Sequence, residues 1–324
     1  MINRLFYKNK NNKVEFYIIN YIRQLIPVKF HQKRLEGKLK SIESFNNEEI
    51  RSIRFRVEYY NKLVNSIDLS STTQKLSDLT IKNSLKTYYF DLYEYSRYFN
   101  QILKGHFLFG DITHIPQEPS FVKSRPILGD NANSVVLKLN KVRHFLFIKN
   151  DKRFSEKKNK LVFRGSVLKE HPGRIRFLEK YFNHPMCDVG MANDNALDAQ
   201  WLVDKMSIGE QLEYKFILSL EGNDVASNLK WIMSSNSLVV MPKPKFETWF
   251  MEGLLKPDYH YVLLKDDYSD LEEKLEYYIN NPDAANCIIK QSNAYVAQFE
   301  NKKIEDLISL MVLDKYFKKT NQYN

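Results

Sequence analysis

The chain has 324 residues, 43% hydrophobic and 27% charged, with 49 Lys+Arg against 39 Asp+Glu and a formal net charge of +10. These values describe a folded chain of about two domains and exclude a disordered or fibrous one. Two cysteines, Cys187 and Cys287, have no CxxC spacing, which excludes a disulfide framework or a zinc site and suits a reducing cytosol.

The charge is unevenly placed. Residues 1–150 hold 25 Lys+Arg and 13 Asp+Glu, a net of +12, whereas residues 151–324 hold 24 and 26. An acidic partner for the first half follows, whether lipid headgroups, a phosphorylated glycan or nucleic acid. Near the N-terminus Val14, Ile18, Ile22 and Ile26 recur every four residues, with Ile19 and Leu25 alongside. The spacing predicts an amphipathic helix rimmed by Lys8, Lys10, Lys13, Arg23 and Lys29. Such a helix lies on an anionic membrane surface or, on the simpler reading, packs on its own domain with its lysines in water. The charged opening reads as no signal peptide, and no apolar run approaches the roughly 20 residues of a membrane span. A cytoplasmic place is expected, with possible association with the cytoplasmic face of the inner membrane.

The segment TYYFDLYEYSRYFNQILKG reads as a helix ending at Gly105. FGDITHIPQEPSFVKSRPI follows, a loop with three prolines and no sustained period, of the kind in which functional residues concentrate. The charged run Lys149 to Lys160 marks the boundary between domains 1–150 and 151–324. Beyond it, strand signals (161–163, 187–191, 216–220, 238–241, 261–264) alternate with helical ones (173–183, 209–213, 224–235, 248–254, 269–281). That alternation predicts an α/β, Rossmann-like domain built on a parallel sheet.

Two strand ends carry polar groups beyond what a turn needs. Phe216–Leu220 runs into Glu221-Gly222-Asn223-Asp224, followed by Ser227, Asn228 and Lys230 at the start of a predicted helix. Backbone N–H groups in such a turn, with Lys230 to neutralise a β-phosphate, suit a nucleotide sugar. Phe163-Arg164-Gly165-Ser166 brings a guanidinium and a close backbone approach to another strand end, with Arg174 and Arg176 after it. Asp111, beside Thr113 and His114, is the candidate general base, although an Asp after Gly is on spacing alone more often a turn residue. No Asp-x-Asp, GxGxxG, GxxxxGK[ST] or HExxH occurs, so metal-clamped, redox, kinase-like and zinc-hydrolase readings lose ground.

The strings GDITHIPQEPSFVKSRPI, KLVFRGS and EGNDVASNLKWIMSSNSLVVMPKPKFETWFMEGLLKPDYHYVLL resemble glycosyltransferase family 90 over roughly residues 105–300. Its members include animal protein O-glucosyltransferases, fungal capsule xylosyltransferases and bacterial lipopolysaccharide core glycosyltransferases. The resemblance implies a GT-B-like fold, two Rossmann-like domains facing a cleft. Residues 1–150 would bind the acceptor and 151–324 the donor, with the last helix packing back on the first domain. It implies inverting transfer of a hexose, glucose or galactose, from a UDP-sugar to a lipopolysaccharide core or related surface glycan, without a metal ion or other cofactor. Asp111 takes the place of the catalytic base. Arg164, Gly165, Ser166 and Arg174 fall in the FRGS segment, and Glu221, Gly222, Asn223, Ser227, Asn228 and Lys230 in the turn–helix segment; both face the donor diphosphate. Animal members carry arginine where this chain has Asn228. Glu247 or Glu252 would hold the ribose, with nothing to choose between them, and Trp249 reads as core. The rivals are a nucleic-acid-binding module, suggested by the sequence pI of 9.2, and an inactive sugar-nucleotide-binding partner of another transferase. The acidic second half does not call for nucleic acid, and none is expected as a partner.

Overall fold

The structure, a computed structural model, describes residues 11–82, 84–193 and 197–323. The chain runs through α1 (Lys13–Gln24), α2 (Asn47–Tyr60), β1 (Gln74–Lys75), α3 (Lys86–Ser96), β2 (Lys104–Leu108), β3 (Ser120–Val122), β4 (Ser124–Pro126) and β5 (Ser134–Val136). It continues through β6 (Lys158–Gly165), α4 (Pro172–Tyr181), β7 (Cys187–Met191), β8 (Tyr214–Leu218), α5 (Leu229–Met233), β9 (Leu238–Met241), β10 (Phe246–Thr248) and β11 (Val262–Leu263). Three helices, α6 (Leu271–Asn280), α7 (Pro282–Ala297) and α8 (Lys302–Lys319), close it. Two compact units result: Asn12–Val142 with Phe246–Met251 and Phe299–Asn324, and Arg143–Lys245 with Glu252–Gln298, the latter also taking Asn11.

The C-terminal unit is built on a five-stranded, wholly parallel sheet in the order β11-β9-β8-β6-β7. Every residue of β8 and β9 is buried, the near-continuous apolar run of a parallel strand covered on both faces. Leu161, Phe163, Phe216, Leu218, Leu238 and Val240 form its core. Helix α4 starts on Pro172, whose missing N–H is no loss at a helix start, and sends Phe177, Leu178 and Tyr181 into that core. The winding reverses between β6 and β8.

Two predicted helices are shorter than their apolar spacing suggests. Of residues 224–235 only Leu229–Met233 is helical, because the Asn228 side chain donates to the Leu218 carbonyl (2.9 Å) and accepts from Ser219 Oγ (3.1 Å), holding the preceding turn to the end of β8. Residues 248–254 split into β10 and a 3₁₀ turn, Glu252–Leu254, because Met251 takes a left-handed φ of 55° that no helix continues through. The helix expected to end at Gly105 stops at Ser96, and Gly105 lies inside β2.

The N-terminal unit carries the sheet β1-β2-β3-β5, parallel except for its antiparallel edge β1, and a separate antiparallel pair of β4 with β10. It departs from a regular Rossmann-like unit. The β2-to-β3 crossover is a loop, residues 109–119, rather than a helix, since Gly110 (φ +116°), Pro116 and Pro119 do not permit one. A buried charge network ties the unit together. Glu305 of α8 pairs with Arg56 of α2 (2.5 Å) and Lys138 (2.6 Å), and accepts from Trp249 Nε1 (2.8 Å). Burial alone would raise the Glu305 pKa, but Lys138 and Arg56 outweigh it and hold the carboxyl below its ordinary value. Trp249 is fully buried and stacks on Tyr60 with ring centroids 3.9 Å apart, so it is core.

Helix α1 packs on its own unit, but not by its apolar stripe. Phe16, Asn20 and Arg23 share one face: Phe16 meets Phe90 edge-on (6.2 Å), Asn20 is buried and Arg23 pairs with Glu94 (2.8 Å). That face turns the apolar stripe outward, leaving Val14, Ile18, Ile22 and Leu25 exposed, Leu25 by 81%. Lys8 and Lys10 of its basic rim lie outside the described residues. No helix among the described residues is long and apolar enough to cross a membrane.

Candidate functional site

Ligands of open parallel sheets bind beyond the carboxyl ends of the strands where the winding reverses. Here that place lies between the loops leaving β6 and β8, and Arg174 joins them. From the first turn of α4 its Nη1 donates to the Ser166 carbonyl (2.5 Å), its Nη2 to the Leu220 carbonyl (2.7 Å) and its Nε to the Glu221 carbonyl (3.1 Å). Three of the five guanidinium N–H groups thus fix the two loops against each other. A Cβ on Gly222 would stand 3.0 Å from Arg174 Nη2, a tight approach that would press on the clamp.

The clamp is electropositive. Burial, and next the Arg143 guanidinium, bring the Arg174 pKa down to about 10, so its charge is poorly compensated. An anion at this edge would relieve that imbalance. His171 supports the same edge. Its Nδ1 accepts from the Leu168 N–H (3.3 Å), which leaves Nε2 to donate to Asn223 Oδ1 (3.1 Å). Asn193 Oδ1 holds the Val167 N–H (2.9 Å). Sequence reasoning missed Arg143 and His171. The one available signal was His171-Pro172, an N-cap position followed by proline.

The edge therefore assembles Gly165, Ser166, Arg174, Gly222 and Asn223, with Asn223 and Ser166 exposed. Ser227 stands half-buried beyond them. Other expected residues are engaged elsewhere. Arg164 turns to the β7 side, giving four N–H groups to the Asp188 carboxylate (2.5 Å) and the carbonyls of Asp188, Phe163 and Asp204. Glu221 accepts from the Lys245 N–H (3.0 Å), and Asn228 is the tie to β8 described above. Lys230 does not face a ligand: it has no exposed surface and pairs with Glu252 at 2.8 Å. Glu252 is accordingly used as a counter-ion and is not placed for a ribose. Glu247 is no better placed, since it is 1% exposed in the N-terminal unit, paired with Arg125 (2.8 Å) and hydrogen-bonded by Tyr59. These three assignments are corrected for one reason: a carboxylate or ammonium buried against its opposite charge is not available to a ligand.

Asp111 sits in the N-terminal unit, in the loop leaving β2 and so at the carboxyl end of its parallel strands. Gly110 adopts a φ of +116°, a conformation side chains rarely take, and so sets the direction in which Asp111 leaves the strand. Lys123, just past β3 and almost fully buried, pairs with the half-exposed Asp111 carboxylate. A buried ammonium thus orients an accessible carboxylate.

The family model described as glycosyl transferase family 90 matches residues 135–322. O-glucosyltransferase LpsA of Dichelobacter nodosus is 42% identical over 306 residues, 94% of this chain and 95% of that protein. The chain belongs to glycosyl transferase family 90. Weaker matches reach two uncharacterized iridescent-virus proteins: 179R of Invertebrate iridescent virus 6 (29% over 129 residues, 37% of this chain and 11% of that protein) and 035R of Invertebrate iridescent virus 3 (36% over 95 residues, 29% and 8%). As a family member the protein is a glycosyltransferase. The family match contains the whole β6–β8 edge. Asp111 lies before it, but the LpsA alignment is long enough that it must include that residue.

The Lys230–Glu252 pair provides a direct check on these roles. Lys230→Met leaves a buried carboxylate uncompensated and is expected to lower the unfolding free energy by about 3–5 kcal/mol. Chemical denaturation measures it; a ligand-facing lysine would instead leave stability within roughly 0.5 kcal/mol.

Proposed function

We propose that this glycosyltransferase moves glucose from UDP-glucose to a lipopolysaccharide core sugar, with inversion and without a metal ion, as a GT-B enzyme. The observation that carries the donor half is the Arg174 clamp at the β6–β8 edge, where two loops and two guanidiniums offer an anion site of diphosphate character. Glucose is favoured over galactose by the similarity to a protein named O-glucosyltransferase LpsA. The lipopolysaccharide acceptor is favoured by the net charge of +12 on residues 1–150, since inner-core sugars are anionic.

In the proposed step the acceptor hydroxyl approaches the anomeric carbon from the face opposite the diphosphate. Asp111 takes its proton while Lys123 keeps the carboxylate oriented. The new C–O bond forms as the bond to the diphosphate breaks, and its electron pair leaves with UDP. Arg174, the loop N–H groups and Arg143 stabilise that growing charge, the electrostatic contribution that dominates such reactions. This assigns the donor to the C-terminal unit and the base to the N-terminal one.

The reading also places the protein on the cytoplasmic face of the membrane that carries its acceptor. Support comes from the outward stripe of α1 with Phe30 and Ile26, flanked by exposed Lys29, Lys33 and Arg34.

Asp111→Asn tests the base. Transfer from UDP-glucose to a lipopolysaccharide acceptor should fall by about 10²–10⁴, with the UDP affinity within twofold of wild type and the wild-type rate unchanged by EDTA. Equal loss of transfer and UDP affinity would remove Asp111 from that role. For the membrane face, the chain should co-sediment with phosphatidylglycerol vesicles but not with phosphatidylcholine, and I18D/I22D should stay in solution. Undiminished retention of that variant would contradict the assignment.

A further inference from the structure

A second electropositive feature, inside the N-terminal unit, takes no part in the chemistry above. A cavity of about 420 Å³ is lined by residues of α1, α3, α8 and the short helix Leu35–Lys40 with the turn after it. Five cations reach it, Arg23, Lys38, Arg97, Lys302 and Lys303, against two carboxylates, Glu94 and Asp306. Arg23 is paired with Glu94 and Lys302 with Asp306, each at 2.8 Å. Lys38, Arg97 and Lys303 have no carboxylate within ion-pair distance among the described residues.

Arg97 is the telling member. It is 9% exposed, and its Nε and Nη1 have no hydrogen-bond partner among the described residues. Burial and the like charge of Arg23 lower its pKa. A buried guanidinium without an anion costs several kcal/mol, and an orphaned buried donor calls for an explanation. Its neighbour His31 is also buried with both ring nitrogens unpartnered, and burial and the charges of Arg97, Arg34 and Arg23 hold its pKa down. The spot is a positive locus short of a counter-ion.

We propose that this cavity binds a phosphomonoester carried on a sugar, as a subsite that anchors a phosphorylated acceptor. Three unpaired cations suit the roughly −1.5 to −2 charge of a phosphomonoester better than a single carboxylate. The volume exceeds a lone phosphate group and lies in the range of sugar-sized ligand pockets. Ser41, Ser44 and the ring of Tyr98 offer hydroxyl and aromatic contacts for the saccharide. The acceptor role rests on the proposed glycosyl transfer; the binding site does not.

Calorimetric titration of the full chain with glucose 6-phosphate, inorganic phosphate, glucuronate and glucose tests the site. Glucose 6-phosphate should bind, inorganic phosphate and glucuronate more weakly, and glucose not at all. K38Q/K303Q, both at the exposed rim, should fold normally and weaken glucose 6-phosphate binding at least about tenfold, the scale of a lost charge-assisted contact. R97Q should weaken it further, and UDP affinity should stay within twofold in every variant. Glucose binding as tightly as its phosphate, or K38Q/K303Q leaving the affinity unchanged, would overturn the proposal. With the rim variant, the KM for a phosphorylated acceptor should rise while the KM for UDP-glucose holds. If glucose 6-phosphate binds but that KM does not move, the site stands and its acceptor role falls; if UDP itself fails to bind, the UDP-sugar donor reading falls independently.

Discussion

One guanidinium holds the β6–β8 edge in place. Arg174 donates to carbonyls on loops that leave two neighbouring parallel strands, and the His171 ring bonds to both loops beside it. A peptide carbonyl is a neutral partner, so the contact organises the loops without cancelling the charge. Partial burial and Arg143 then leave that charge poorly compensated. Much around it follows from this constraint. A Cβ on Gly222 would crowd the guanidinium, and His171, at the N-cap position of the helix that delivers Arg174, bonds Asn223 through its ring. Strand order supplies the rest, since only the reversal between β6 and β8 leaves a crevice at that edge.

The same charge logic, applied to buried residues, runs the other way. Lys230 with Glu252 and Arg125 with Glu247 are matched at short range and closed to solvent. Each pair stabilises by compensation once desolvated, and breaking it is costly. The two kinds of cation differ in whether the partner is a carboxylate or a carbonyl, and that difference separates the compensated charges from the uncompensated one.

That distinction also explains what was legible in the sequence. The apolar runs of β8 and β9 announced a parallel sheet, and the strand–turn junctions after Phe163 and Leu220 are the two loops that Arg174 joins. Long-range pairing was not legible. Lys230 beside a polar turn looks the same whether it meets phosphate or Glu252, 22 residues on. Arg164 lies at the end of strand β6 and Arg174 ten residues beyond it, yet one turns to Asp188 and the other to the loops, which depends on strand neighbours rather than spacing. The direction of α1 was hidden for a similar reason. An amphipathic pattern reports that a stripe exists, while Phe90 and Glu94, far along the chain, decide which way it faces. Asp111 became visible only through family likeness, because an Asp after Gly is ordinary in a turn and Lys123 is recognised as its partner only once β2 and β3 lie side by side.

Hydrogen–deuterium exchange of the full chain with and without UDP, in EDTA, tests most directly whether the β6–β8 edge is the donor site. The account predicts slowed exchange concentrated in peptides covering residues 164–174 and 219–224, and smaller or no change over 104–126, which hold the proposed base. Protection confined to the N-terminal unit, or no protection at saturating UDP, would contradict it.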